Sequence, residues 1–108
     1  MAVAGRTWQG AATTGVTSLV APAAGQEAWI SQIRIVNSDA SNCWLKMWMD
    51  FDGTTQDITT IVWPQQTIPS GRIVFDTGLL IVGASGHLYM QAEANSKLTV
   101  HCVGVLRT

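Results

Sequence analysis

The sequence predicts an all-β fold: an antiparallel β-sandwich of about eight short strands in jelly-roll or Greek-key order, with an extended N-terminal arm. Turn signals recur roughly every 8–12 residues between short apolar runs, and no stretch has a helical period. A turn motif, in which proline precedes glycine and a predicted strand follows, also occurs twice, at 20–26 and 67–72. Proline presets the backbone at the start of a tight turn, and glycine accepts a positive φ at its end.

The composition indicates a protein whose surface is covered in an assembly. The chain has 108 residues, enough for one domain with a two-layer core. Only 12% of the residues are charged, against about 25% in a typical soluble domain. Burial against copies of itself or against a larger assembly accounts for so few charges. The net charge is −1 and the six cations are scattered, so we expect no nucleic-acid partner.

The chain divides into an N-terminal arm, 1–15, and a β-sandwich domain, 16–108. The first fifteen residues are mostly small, show no strand or helix period, and contain Trp8. A flexible tail is one interpretation of this segment. Because a tryptophan is costly to leave in a loose tail, the other interpretation is an extended arm. Such an arm would lie on the body or on a neighbouring subunit, with Trp8 as its anchor.

Alternation of apolar and polar residues predicts the strands of the sandwich. In the second strand, polar Gln32 and Arg34 mark the outer side, so that Ile33 and Ile35 face the core. An Asp-Gly pair at 52–53 predicts a hairpin turn. The predicted strands are 16–20, 27–37, 43–50, 57–63 closed by a proline, 72–76, 79–82, 87–92 and 97–106.

The third predicted strand carries the candidate site. Its Leu45 and Met47 lie on the core face, which places Trp44, Lys46 and Trp48 on the opposite face. Three interpretations of the two tryptophans are open: a protein interface, a second buried layer, and a platform that stacks on carbohydrate. A protein interface is the one we favour. The predicted interface residues are Trp8, Trp44, Lys46 and Trp48.

Few residues could support catalysis or bind a metal. His87 and His101 fall opposite the core phase, and no HxH, HExxH or CxxC spacing is present. Asp50, Asp52 and Asp57 cluster as in a calcium loop, but the ligand at position five and the closing glutamate are missing. We therefore expect no enzymatic activity, no catalytic residues, no cofactor and no metal.

The cysteines and the apolar runs indicate the cellular compartment in which the protein is made. Cys43 and Cys102 fall in predicted strands, where buried free thiols are favoured over a disulfide that needs an oxidising compartment. The first fifteen residues lack the apolar region of a signal peptide, and no run approaches the ~20 apolar residues of a membrane span. We expect production in a reducing cytoplasm and no membrane partner.

The order of these motifs resembles that of small structural proteins of tailed-bacteriophage virions. In those proteins a Val-Pro-Ala-Gly turn leads into a strand of the form Ile-x-x-Ile-x-Ile-x-Asn, as at 20–26 and 30–37 here. An Asp-Gly turn, an Ile-Pro-x-Gly turn, a Gly-Leu-x-Leu strand and a closing strand follow, matching 52–53, 68–71, 78–81 and 98–106. The tryptophan-rich third strand and the first fifteen residues depart from this pattern.

The resemblance covers about residues 16–106 and implies a non-enzymatic virion component assembled in the host bacterial cytoplasm. A capsid decoration, or cement, protein is the favoured form. It would assemble as a homotrimer and bind the major capsid protein or another virion protein. A tail or fibre component, or a module that binds carbohydrate or a receptor, is the alternative. The family has no catalytic residues to transfer to this chain.

Overall fold

Eight strands form two packed sheets in the computed structural model, which describes residues 3–50, 61–84 and 86–108. The sheets are antiparallel, with strand orders β1-β8-β3-β6 and β2-β7-β4-β5. Apart from the β4–β5 pair, successive strands alternate between the sheets, which is the order of a jelly roll and confirms the predicted fold class. The strands are β1 (Val3–Ala11), β2 (Thr17–Val20), β3 (Glu27–Asn37), β4 (Cys43–Asp50), β5 (Ile61–Ile68), β6 (Ile73–Val82), β7 (His87–Ala92) and β8 (Leu98–Arg107).

The core lies between the two sheets and is built from alternate residues of each strand. The predicted core positions Ile33 and Ile35 of β3 and Leu45 and Met47 of β4 are buried. Alternate positions of β7, and of β8 as far as Cys102, are buried as well. The buried apolar set includes Val20, Leu88, Met90, Ala92, Leu98 and Val100, together with the free thiols Cys43 and Cys102.

One departure from strict alternation lies at Ser31 in β3. Alternation placed Trp29 on the same side as Ile33, but Ile30 is the buried residue and Trp29 is only half-buried. The pairing of β3 with β6 and with β8 shifts register between Ile30 and Gln32. Against β8, Ser31 is therefore the extra residue of a β-bulge, which resets the phase of the strand.

Two predicted strand boundaries were wrong. The strand predicted to close at Pro64 continues through it to Ile68. A proline is tolerated there because β5 is the edge strand of its sheet. The predicted strands 72–76 and 79–82 are one strand, β6, because Gly78 lies beside a register shift opposite Ser31 rather than in a turn. The predicted turn at 52–53 and the predicted strand segment 57–60 lie outside the described residues.

The first part of the predicted arm forms β1, which pairs with β8 along its whole length. Trp8 lies opposite Cys102 and packs against the core of its own chain. The Arg6 guanidinium carbon lies 5.6 Å from the centroid of the Trp8 ring. Farther along, the Ala12 amide donates a 2.9 Å hydrogen bond to the Leu98 carbonyl. A backbone ladder and one aromatic side chain therefore attach this segment to the sandwich.

The two repeated turns have the geometry that their sequence predicts. Gly25 and Gly71 have φ angles of 81° and 68°, which lie in the left-handed region that glycine tolerates. Each turn is closed by a backbone hydrogen bond between residues three apart, of 3.0 Å at 23–26 and 3.2 Å at 69–72. The first turn leads into β3 and the second into β6, so both feed neighbouring strands of one sheet.

A buried asparagine joins the two sheets at one end of the sandwich. Asn37, at the end of β3, is 1% exposed. Its Nδ2 donates hydrogen bonds to the carbonyl oxygens of Ile68 (2.9 Å) and Ser41 (3.1 Å). Its Oδ1 accepts a bond of 3.0 Å from the Asp39 amide. The side chain thus satisfies three backbone groups where the β3–β4 connection meets the end of β5.

We predict that Asn37→Ala lowers the free energy of unfolding by about 2 kcal/mol, because backbone groups at a buried site lose their partner. The exposed Asn42 is the control: its Oδ1 accepts a single bond of 3.0 Å from the Ser70 amide. Asn42→Ala is expected to cost under about 1 kcal/mol. Urea denaturation followed by tryptophan fluorescence measures both, and equal midpoints would contradict the role assigned to Asn37.

We predict that Gly104→Ala destabilises the fold by about 1–3 kcal/mol, the usual cost of overpacking. At the β3 bulge the backbones of β3 and β8 approach closely, and a Cβ on Gly104 would overlap the carbonyl oxygen of Trp29. Gly5 in β1 is the matched control, because a Cβ there meets nothing within 4 Å. Gly5→Ala should leave the urea midpoint unchanged or slightly raised. A Gly104→Ala variant as stable as Gly5→Ala would contradict the close approach.

We predict that Cys102 resists thiol reagents in the folded protein. Burial raises the pKa of its thiol to about 12, and the thiolate is the reactive form. At mildly alkaline pH, labelling with Ellman's reagent should be slow in buffer, and both Cys102 and the buried Cys43 should react fully in denaturing urea. Rapid reaction of Cys102 in the native protein would show that it is not a core residue.

Candidate functional site

The predicted interface residues of β4 lie together on the outer face of the second sheet. Lys46 is central: its Nζ lies 5.8 Å from the Trp44 ring centroid and 5.9 Å from that of Trp48. At these distances a cation is attracted to the face of an aromatic ring. We name these three residues, with Tyr89 and His87 of β7, the tryptophan–lysine face.

An aromatic stack extends this face across neighbouring strands. Trp48 and Tyr89 are cross-strand partners, with ring centroids 5.9 Å apart and planes inclined by 28°. The His87 ring follows, 5.0 Å from Tyr89 and inclined by 17°. Its Nδ1 is 2.9 Å from the Ser18 hydroxyl of β2. Three strands of the second sheet therefore contribute side chains to this outer face.

The members of the tryptophan–lysine face differ in accessibility. Trp44 and Lys46 are half-buried, whereas Trp48 is 1% exposed although it lies outside the core cluster. A position on the outer face therefore does not leave Trp48 accessible, because its ring is flanked by Lys46 and stacked on Tyr89. Its Nε1 has no hydrogen-bond partner among the described residues. Trp48 belongs to a second buried layer, and Trp44 with Lys46 is the accessible part.

Trp8 is not brought to this face. It lies in β1 of the first sheet and shares the side of its buried partner Cys102, because directly paired residues point to the same face of a sheet. The half-buried Trp29 is on the outer side of that same sheet. The Arg107 guanidinium carbon lies 4.3 Å from the Trp29 ring centroid. The outer side of the first sheet thus carries a tryptophan–cation pair of its own.

Sequence reasoning missed a further apolar surface on β6. Ile73, Phe75, Leu79 and Ile81 are 49%, 54%, 63% and 39% exposed. All four occupy odd positions of one strand, so their alternation is visible in the sequence. The predicted strands 72–76 and 79–82, divided at Gly78, are each too short to reveal the stripe.

The polar residues considered for chemistry are dispersed. His101 pairs with Arg34 on the outer side of the first sheet, away from His87. A cleft of about 310 Å³ lies where β4 and β6 end and β7 begins, and its lining includes Met49, Asp50 and His87. Within the described ranges, no three His, Cys, Asp or Glu side chains are grouped to hold a metal ion. The same residues include no helix able to cross a bilayer.

Comparison with known proteins identifies no family. No protein-family model and no curated protein matches the sequence. One solved structure with some similarity is a chain of the T13 IBDV viral particle, at 10% identity and a TM-score of 0.49. Another is a pentameric capsid protein isolated from metagenomic phage sequences, at 14% identity and a TM-score of 0.38.

Both solved structures are longer than this chain. The alignment with the IBDV chain covers 96% of this chain and 30% of that one. The alignment with the phage capsid protein covers 94% of this chain and 60% of that one. Both TM-scores lie below 0.5, so the similarities carry no argument about the function of this chain.

Proposed function

We propose that this chain is a non-enzymatic structural protein of a virion, namely a capsid decoration protein. The observation that carries the proposal is the tryptophan–lysine face. It presents aromatic rings and a cation outside the core of a chain in which only 12% of residues are charged. The motif order that resembles small tailed-phage virion proteins supports the same assignment. The jelly-roll strand order is compatible with it, although a fold alone does not define a function.

The energetics of the face favour a protein partner. Tryptophan and tyrosine are enriched among the residues that dominate protein interfaces. An aromatic side chain buries about 150–250 Å² in total, and apolar burial contributes about 25 cal/mol per Å². The half-buried Trp44 therefore has apolar area left to bury against a partner. The gain per copy is modest, but it is repeated over every copy bound to a shell.

The position of Lys46 gives the carbohydrate alternative less support. A sugar-stacking platform needs a free aromatic face, but the Lys46 ammonium lies over the rings of both Trp44 and Trp48. Trp48 is in addition almost fully buried. A protein partner could instead pair an acidic group with the Lys46 ammonium and pack an apolar group against the edge of the Trp44 ring.

We further propose that the protein acts as a homotrimer at local three-fold positions of a shell, bound to the major capsid protein. Closed symmetry is the rule for oligomers of one chain. Trp44 and Lys46 would contact the shell or a neighbouring subunit directly. Trp48 would act indirectly, because its ring holds Lys46 and Tyr89 in place. Trp8 would fix β1 to its own chain.

We predict that combining Trp44→Ala with Lys46→Ala lowers affinity for DNA-emptied capsids by about tenfold or more, since truncating an interface hot spot costs about 2 kcal/mol or more and about 1.4 kcal/mol is a factor of ten. The capsids come from the phage that encodes this chain, and co-sedimentation measures binding. The urea midpoint should change little, because both residues lie outside the core cluster.

The matched control is Trp29→Ala with Arg107→Ala, which removes the tryptophan–cation pair of the opposite sheet. This variant should bind capsids like the wild type. If only the control variant lost binding, the capsid contact would lie on the first sheet, which would contradict our proposal. Failure of the wild-type protein to sediment with capsids, with binding to isolated tails instead, would overturn the decoration role in favour of a tail component.

A further inference from the structure

Strand β6 presents an apolar stripe at the free edge of the first sheet. It is the last strand in the order β1-β8-β3-β6, so among the described residues only its β3 side is paired. Four of the six large apolar side chains exposed in the described part of the chain belong to it, at positions 73, 75, 79 and 81. A long apolar edge strand with unpaired backbone groups is a template for pairing with another chain.

The other three edges of the sandwich are protected against such pairing. β2 has only four residues, which is too short to guide a partner strand. β5 contains Pro64, which cannot donate a hydrogen bond to a ladder. β1 carries the charged Arg6 and two glycines. β6 contains no proline, no lysine and no arginine, and Asp76 is its single charge.

We propose that β6 pairs with β6 of a second copy of this chain, antiparallel about a two-fold axis through Thr77. The sequence of the strand supports this occupant because its apolar pattern reads alike in both directions from Thr77. Ile73 would face Ile81 of the second copy, and Phe75 would face Leu79. Such a contact is isologous, with one surface used twice. It does not rest on the proposed function, because the tryptophan–lysine face lies on the other sheet.

The charge on Asp76 selects this register over its neighbours. A shift of one residue would set the exposed stripe of one copy against the opposite face of the other. An axis through Asp76 would place two like charges directly opposite each other, which is destabilising. An axis through Gly78 would put Asp76 opposite Leu80. With the axis through Thr77, Asp76 faces Gly78, and the apolar side chains face one another.

The irregular pairing beside Gly78 determines where the contact is strongest. β6 shifts register against β3 between the partners Thr77 and Leu80. A bulge of this kind interrupts a ladder locally. The two apolar halves on either side of the axis, 73–75 and 79–82, would therefore provide the pairing. The segment 73–75 of each copy would pair with the segment 79–82 of the other copy.

The test is a cysteine at the two-fold axis. Directly opposed Cα atoms of an antiparallel pair lie about 4.5–5.5 Å apart, within the range that a disulfide spans. Thr77→Cys should therefore form a covalent dimer in a glutathione redox buffer, seen on a non-reducing gel. The native cysteines are buried and should not contribute. Thr7→Cys, an exposed threonine replaced on the opposite edge strand β1, is the matched control and should stay monomeric on the gel.

Adding Leu79→Lys to the Thr77→Cys variant should lower the yield of cross-linked dimer at least fivefold, because an apolar contact is replaced by a charge. Circular dichroism and the urea midpoint confirm that each variant is folded. A folded Thr77→Cys protein that cross-links no better than Thr7→Cys would overturn the proposal. So would a yield that Leu79→Lys leaves unchanged. Either result would leave capsid binding through Trp44 and Lys46 unaffected.

Discussion

The extra residue at Ser31 determines the arrangement of the whole first sheet. β3 is the strand that contacts both β8 and β6, so the phase of its side chains fixes what each neighbour can pack against. The bulge allows Ile30 and Ile33 to face the core together, although they are three residues apart. It also directs Trp29 outward. This geometry requires the backbones of β3 and β8 to approach closely, which only glycine permits at position 104.

The bulge and the two-sheet packing together divide the apolar residues into three groups. One fills the core between the sheets. A second, around Trp44 and Trp48, lies outside the second sheet under a lysine. The third is the β6 stripe at the edge of the first sheet. The accessible parts of the second and third groups, Trp44 and the β6 stripe, are the surfaces through which we propose contacts with other chains. The low content of charged residues agrees with this division.

Most of the fold could be predicted because it depends on local alternation. The phase of burial follows the sequence along all of β7, along β4 as far as Met47 and along β8 as far as Cys102. The errors occur where register matters: at Ser31, at Pro64 and at Gly78. Register depends on the neighbouring strand, which local sequence does not specify. The burial of Trp48 has the same origin, because its cover includes Tyr89, a partner from β7.

The central claim is that this chain functions through surfaces that are covered by other chains. The native mass of the purified wild-type protein, measured by light scattering after size exclusion, tests it most directly. The account predicts a multiple of the 11.6 kDa chain mass. A mass near three times that value would fit the proposed trimer, and an even multiple would fit pairing through β6. A single-chain mass at every concentration tested would contradict the claim that the low-charge surface serves self-assembly.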